Sequence, residues 1–91
     1  TGVPTAFALH QNYPNPFNPV TKIKFDIPEQ SPVSIKLYDI IGNEVGLIYS
    51  GDLSAGYYVA EFNASNYASG VYIYKIDAGS YSSVKRMVLI K

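Results

Sequence analysis

Thr21-Lys22-Ile23-Lys24-Phe25-Asp26-Ile27 decides the fold. The residues alternate strictly, with Ile23, Phe25 and Ile27 on one face and Lys22, Lys24 and Asp26 on the other, which is the period of a half-buried strand. The same reading recurs outward along the chain. Pro28 and Pro32 bracket an expected turn, after which Val33, Ile35 and Leu37 alternate with Ser34, Lys36 and Tyr38. Gly42-Asn43 predicts a two-residue type II′ turn into a return strand over 44–49. Gly51-Asp52 and Ala55-Gly56 mark the next loop, and Tyr58, Ala60 and Phe62 then alternate with Tyr57, Val59 and Glu61.

Residues 63–70 have the Asn, Ser and Gly content of a loop. In the following strand, over 71–78, Lys75 and Asp77 label one face as wet and turn Tyr72, Tyr74 and Ile76 inward. Gly79-Ser80 leads into a last strand over 81–90, where Met87-Val88-Leu89-Ile90 is apolar at every position, as in a strand paired centrally or covered on both sides. No stretch has a helical period. The expected fold is all-β, an antiparallel immunoglobulin-like β-sandwich of about seven short strands.

Composition agrees. The 91 residues are 47% hydrophobic, rich in Ile and Val, with nine Tyr and four Phe but no Trp, and branched and aromatic side chains suit a pleated, half-buried surface. A chain of this length holds one small domain and excludes a two-domain enzyme. Seven Lys+Arg balance seven Asp+Glu, which argues against nucleic acid, whose phosphates need a basic field, and weakens the case for an anionic membrane surface. The absence of cysteine removes disulfides, thiol nucleophiles and Cys-ligated metals. There is no signal-like n-region and no long apolar run, hence no expected membrane insertion. The Thr1-Gly2-Val3-Pro4 opening predicts that residues 1–8 end an upstream linker and that residues 9–91 form the domain, with the patterned 84–91 stretch as its working end.

Catalysis finds no footing. His10 is the single histidine, read as a surface residue, and the carboxylates Asp26, Glu29, Asp39, Glu44, Asp52, Glu61 and Asp77 are dispersed without the close pairing that acid/base chemistry needs. No calcium loop or phosphate-cradling glycine pattern occurs, although Asp39, Asp52, Asn63 and Asn66 carry oxygen ligands that loops could bring together. The reading is a non-enzyme with no catalytic residue, cofactor or metal.

Three motifs stand out. In Asn12-Tyr13-Pro14-Asn15-Pro16-Phe17-Asn18-Pro19 the prolines remove backbone donors and push the residues before them toward extended conformations. The favoured reading is a segment that wraps one sandwich edge, anchored by Tyr13 and Phe17, and shields it from other chains. The other is a proline-rich ligand for an aromatic groove. Second, Gly70-Val71-Tyr72 opens a strand carrying two same-face tyrosines. Third, Lys85-Arg86-Met87-Val88-Leu89-Ile90-Lys91 gathers three cations at an otherwise apolar end.

In this order and spacing, together with Leu37-Tyr38-Asp39-Ile40-Ile41-Gly42-Asn43-Glu44-Val45, these motifs resemble the type IX secretion system C-terminal sorting domain (type A), over residues 7–91. The resemblance implies a folded export label on an upstream cargo in the same chain, recognised by the outer-membrane type IX secretion machinery and handled in many members by a surface peptidase. It implies a periplasmic passage, then release or surface display. It also implies recognition by Gly70, Val71, Tyr72 and the run Lys85, Arg86, Met87, Val88, Leu89, Ile90 and Lys91, with Tyr13, Pro14, Asn15, Pro16, Phe17, Asn18, Pro19 and Gly42 as fold-defining positions.

Two rival functions belong to other classes. A structural immunoglobulin-like spacer, such as the related domain of flagellar hook-capping proteins, needs only the fold. A carbohydrate-binding module would use Tyr49, Tyr57, Tyr58, Tyr67 and Tyr81 to stack on sugar rings.

Overall fold

A computed structural model describes residues 2–91. Seven strands run in chain order: β1 (Ala8–Leu9), β2 (Val20–Ile27), β3 (Ser31–Tyr38), β4 (Glu44–Leu53), β5 (Gly56–Asn63), β6 (Gly70–Ala78) and β7 (Tyr81–Leu89). They form two antiparallel sheets, β1-β2-β5 and β4-β3-β6-β7, whose inner faces meet as the expected sandwich. The alternation in β2 is realised as read, with Ile23, Phe25 and Ile27 buried opposite Val33, Ile35 and Leu37 of β3 and Tyr74, Ile76 and Ala78 of β6. Each of the larger aliphatic and aromatic side chains among them contributes about 1.5–3 kcal/mol by leaving water.

The β3–β4 connection is longer than expected. Gly42 donates to the Asp39 carbonyl (3.1 Å) and Asp39 donates to the Asn43 carbonyl (2.9 Å), so the loop is Ile40-Ile41-Gly42 and not a two-residue turn. Gly42 has φ +97°, the left-handed conformation that closes a three-residue hairpin and that other residues enter at a cost. Asp39 Oδ1 accepts the amides of Asn43 (2.9 Å) and Ile41 (3.1 Å), and the Asn43 amide above all holds its carboxyl below the ordinary value. The turn is therefore tied by a side chain that competes well for backbone donors.

Pro32 and Gly51-Asp52, expected in turns, lie within strands. Pro32 pairs with Asp52 and Val33 with Gly51 in the β3–β4 ladder. Pro32 is tolerated because it occupies the second residue of its strand, before β6 pairing begins at Val33, and its carbonyl still accepts from Gly79 (3.1 Å). The ladder then shifts register between Ile35 and Lys36 and between Leu37 and Tyr38, which bends β4.

The apolar run in β7 also departs from expectation, because β7 is the edge of its sheet. Met87 and Leu89 are buried, Val88 is half-buried and Ile90 is 54% exposed, so the run alternates like any half-buried strand. Its outer edge is closed by the proline-rich segment. Phe17 donates to the Val88 carbonyl (3.0 Å) and accepts from the Ile90 amide (3.0 Å), Asn15 Oδ1 accepts from Val88 N (2.9 Å), and Gln11 donates to the Arg86 carbonyl (2.6 Å). The segment thus wraps an edge, as expected, and Phe17 is its buried anchor. Tyr13 is not an anchor. It bridges Lys22 through both backbone groups, and antiparallel partners share a face, so its side chain follows Lys22 outward and is 80% exposed.

The buried polar residue of that segment is Asn12, and its polar atoms are satisfied by a buried network. Tyr74 Oη donates to the His10 carbonyl (2.8 Å) and accepts from Asn12 N (2.8 Å). Asn12 Nδ2 donates to Thr21 Oγ1 (3.0 Å), which donates to the Pro14 carbonyl (2.8 Å), and Gln11 donates to Asn12 Oδ1 (2.7 Å). Burial pushes the Tyr74 hydroxyl up to about 12, against a smaller lowering by the Asn12 amide. Because the neutral phenol is the form the fold prefers, its contribution is complete below pH 10 and is lost as pH rises from 10 through about 12.

Two outcomes follow from these contacts. Tyr74→Phe leaves the Asn12 amide and the His10 carbonyl unpartnered in the interior and should cost about 1–3 kcal/mol in denaturant unfolding at pH 7, while removing Tyr74's part of the alkaline loss of stability. Asn15→Ala should lower global stability by about 1 kcal/mol. It should also speed amide exchange at Val88 more than at Met87 or Tyr74, measured by native-state hydrogen exchange.

Candidate recognition surface

Strand register decides which of the singled-out residues a partner can touch. Along β6 and β7 the pairs Gly70/Leu89, Tyr72/Met87, Tyr74/Lys85 and Ile76/Ser83 share the inner face, while Val71/Val88, Ile73/Arg86 and Lys75/Val84 share the outer face. Met87 and Leu89 are therefore core residues, each at most 1% exposed, and no receptor reaches them while the domain is folded. Lys85 and Arg86, adjacent in sequence, stand on opposite faces. Lys85 is a half-buried charge on the inner side of an edge strand, a placement that discourages a further strand from adding there.

Gly70 begins β6 with φ +155°, and open space lies where a Cβ would project, so its backbone conformation and not crowding favours glycine. Tyr72 packs edge-on against Tyr67 (5.9 Å between centroids) and donates to the Ala68 carbonyl (2.6 Å), bracing the 64–69 loop. Lys91 is held by the same loop: its amide donates to Ser69 Oγ (2.9 Å) and its Nζ to the Ser65 carbonyl (2.6 Å). The three cations of the 85–91 run thus part company, one to the inner face, one to the outer face and one to the loop.

What remains on the outer face is Val71, Arg86 and Val88, with exposed Ile90 continuing the alternation beyond β7. Register adds residues that sequence reading missed: Tyr38 pairs with Ile73, and Ile73 with Arg86, so Tyr38, Ile73 and Val84 extend the same apolar area. The signal was present as period-2 alternation, but Lys75 and Asp77 made the whole face read as wet. The face is in fact divided. One end carries Ser34, Ser50, Asp77 and Ser82 in a single cross-strand row, and the other carries the valines, Ile73 and Tyr38.

Electrostatics separates the cations further. Lys36 lies 3.9 Å from Glu44 and Lys75 3.8 Å from Asp77, both partly exposed pairs worth little in stability but enough to neutralise each other locally. Arg86 has no carboxylate partner among the described residues. It is the unpaired cation at the apolar end.

Of the oxygen donors considered for a metal, Asp39 ties its own turn and Asn63 Oδ1 accepts from Ser65 N (2.9 Å), and no group of three or more His, Cys, Asp or Glu able to hold a metal occurs among the described residues. The tyrosines considered for sugar stacking are spread over different surfaces. Tyr49 and Tyr58 flank Phe25 at 6.3 and 5.6 Å, Tyr67 meets Phe62 at 5.6 Å, and Tyr81 stacks on Phe7 at 5.1 Å. Tyr57 is the exposed member of that set.

The family model described as secretion system C-terminal sorting domain matches residues 11–91, which takes in the edge-wrapping segment and all of β2 to β7. No curated protein and no solved structure matches.

Proposed function

The chain belongs to the secretion system C-terminal sorting domain family, the sorting signal of type IX secretion cargo, and from that premise we propose that the secretion machinery reads it through the apolar end of the outer β3-β6-β7 face. The observation that carries this reading is the cross-strand row Tyr38–Ile73–Arg86, flanked by Val71 and Val88 and leading to exposed Ile90, with its cation unpaired. Apolar side chains around a free guanidinium supply both area to bury and a charge for an acidic receptor surface. The rim charge governs encounter and partner choice, and the valines and Ile73 supply most of the affinity.

The other positions act in support. Met87 and Leu89 fix β7 to the core, Tyr72 and Gly70 set the loop that holds Lys91, and Phe17 with Asn15 closes the β7 edge so that a receptor meets a rigid strand. Lys85 keeps other strands from adding to that edge. The domain is a passive label that performs no chemistry. In this scheme an upstream cargo on the same chain enters the periplasm by its own signal, the outer-membrane machinery recognises the folded domain, and a surface peptidase is the enzyme that would remove it.

The test fuses residues 1–91 to a periplasmic reporter in hosts with and without a working type IX translocon. Translocon-dependent appearance at the surface or in the medium is expected, and translocon-independent behaviour would instead favour a structural spacer. Lys85→Glu with Arg86→Glu, a half-buried and an exposed charge reversal, should leave the domain folded, with thermal unfolding within about 1 kcal/mol of the parent, yet reduce export at least about tenfold. Arg86→Glu alone should account for most of the loss. Normal export of the double variant would sink the assignment of this face.

A further inference from the structure

The sandwich has four strand edges, and three are protected by different means. β1 is two residues long. β4 is bent by two register shifts. β7 is covered by the 11–17 segment and carries Lys85 on its inner side. Such devices are how natural sheets avoid pairing with other chains.

β5 has none of them. Its ladder with β2 runs unbroken through eight pairs, from Gly56↔Ile27 to Asn63↔Val20. It contains no proline and no lysine, and it pairs with a strand on one side alone. The opposite side therefore presents the outward half of the N–H and C=O groups of eight residues, straight and in register. Beside that edge, on the outer face, stand Tyr57 (66% exposed) and Val59 (56% exposed).

We propose that this edge is a self-association site, and that two copies of the chain join through antiparallel β5–β5′ pairing about a two-fold axis at Val59. The occupant follows from self-complementarity. With Val59 on the axis, the branched pair Val59–Val59′ meets at the centre, Tyr57 faces Glu61′, and no like charges stand opposite one another. Centring on Ala60 would instead set Val59 against Glu61′, and centring on Tyr58 would shorten the overlap. The contact is isologous, and each chain has one such edge, so pairing closes at a dimer and does not propagate. Two three-stranded sheets become one six-stranded sheet in which residues 56–62 of each β5 have strand partners on both sides.

The interface is narrow, because a single pair of strands meets, which places it among the weak, transient contacts. The dimer leaves the outer β3-β6-β7 faces of both copies free, since they lie on the other sheet. The inference is independent of how the domain is recognised.

Sedimentation velocity on residues 1–91 from about 10 μM to 1 mM checks the proposal. A monomer–dimer equilibrium without larger species is expected for the parent protein. Val59→Lys and Val59→Glu should each shift the midpoint at least tenfold upward without altering thermal unfolding, because Val59 is exposed. An equimolar mixture of the two should recover dimerisation, since the axis then sets Lys against Glu. The proposal is overturned if the parent stays monomeric at 1 mM, if open-ended oligomers form, if Val59→Lys dimerises like the parent, or if it dimerises more tightly, the sign of a register that sets residue 59 against Glu61′. Failure of the mixture to recover dimerisation also overturns it.

Discussion

The structure hangs on one hydroxyl. Tyr74 lies at the centre of β6, fully buried, and its Oη joins His10 and Asn12 to the core with one donated and one accepted bond. An N-terminal segment with three prolines cannot hold itself in a sheet, because it lacks donors at regular intervals. Its position must be imposed from elsewhere, and the Tyr74–Asn12–Thr21–Pro14 network imposes it. A buried polar network stabilises only when every member is satisfied, and no buried side-chain nitrogen or oxygen is left without a partner among the described residues. With Asn12 fixed, Asn15 and Phe17 arrive at β7, and that strand gains a closed edge.

The opposite side of the sandwich is managed differently. There β4 and β5 are consecutive strands in different sheets, joined by Ser54 and Ala55. The gap between them is tiled with tyrosines whose hydroxyls return to nearby carbonyls, Tyr58 to Ser54 (2.6 Å) and Tyr67 to Val45 (3.2 Å). Gly46 lies beneath the Tyr67 ring, where a Cβ would collide with the phenol oxygen. This explains part of the tyrosine content: an amphipathic ring can seal an open side of a small core and still satisfy its polar tip.

Much of this was legible early. Strict alternation at Ile23, Phe25 and Ile27, and at Tyr72, Tyr74 and Ile76, identified inward faces correctly because the side-chain period of a strand is a local property. Turn chemistry was less dependable. Gly42 marked the right hairpin but the wrong loop length, since the number of loop residues depends on how Asp39 and Asn43 share hydrogen bonds. Gly51 and Pro32 looked like turn residues, yet one makes room for a neighbouring tyrosine ring and the other sits where a missing donor is tolerated. Tyr13 was misjudged as an anchor because its orientation is inherited from Lys22, nine residues away.

The candidate surface shows the same division. The sequence alone determined that a sheet sandwich forms, that motifs at residues 12–19, 70–72 and 85–91 stand out from the alternating background, and to which family the chain is similar. It could not say that Lys85 and Arg86 face opposite ways with respect to a core, that Met87 and Leu89 are spent on packing, or that Tyr38 and Ile73 join Arg86 in one row. Those facts belong to cross-strand register, which pairs residues 13 and 35 positions apart and is set by how both sheets bury their inner faces at once. Local alternation says only that a strand has two sides. The tertiary structure decided which side is core, which neighbours share the other, and hence what a partner can touch.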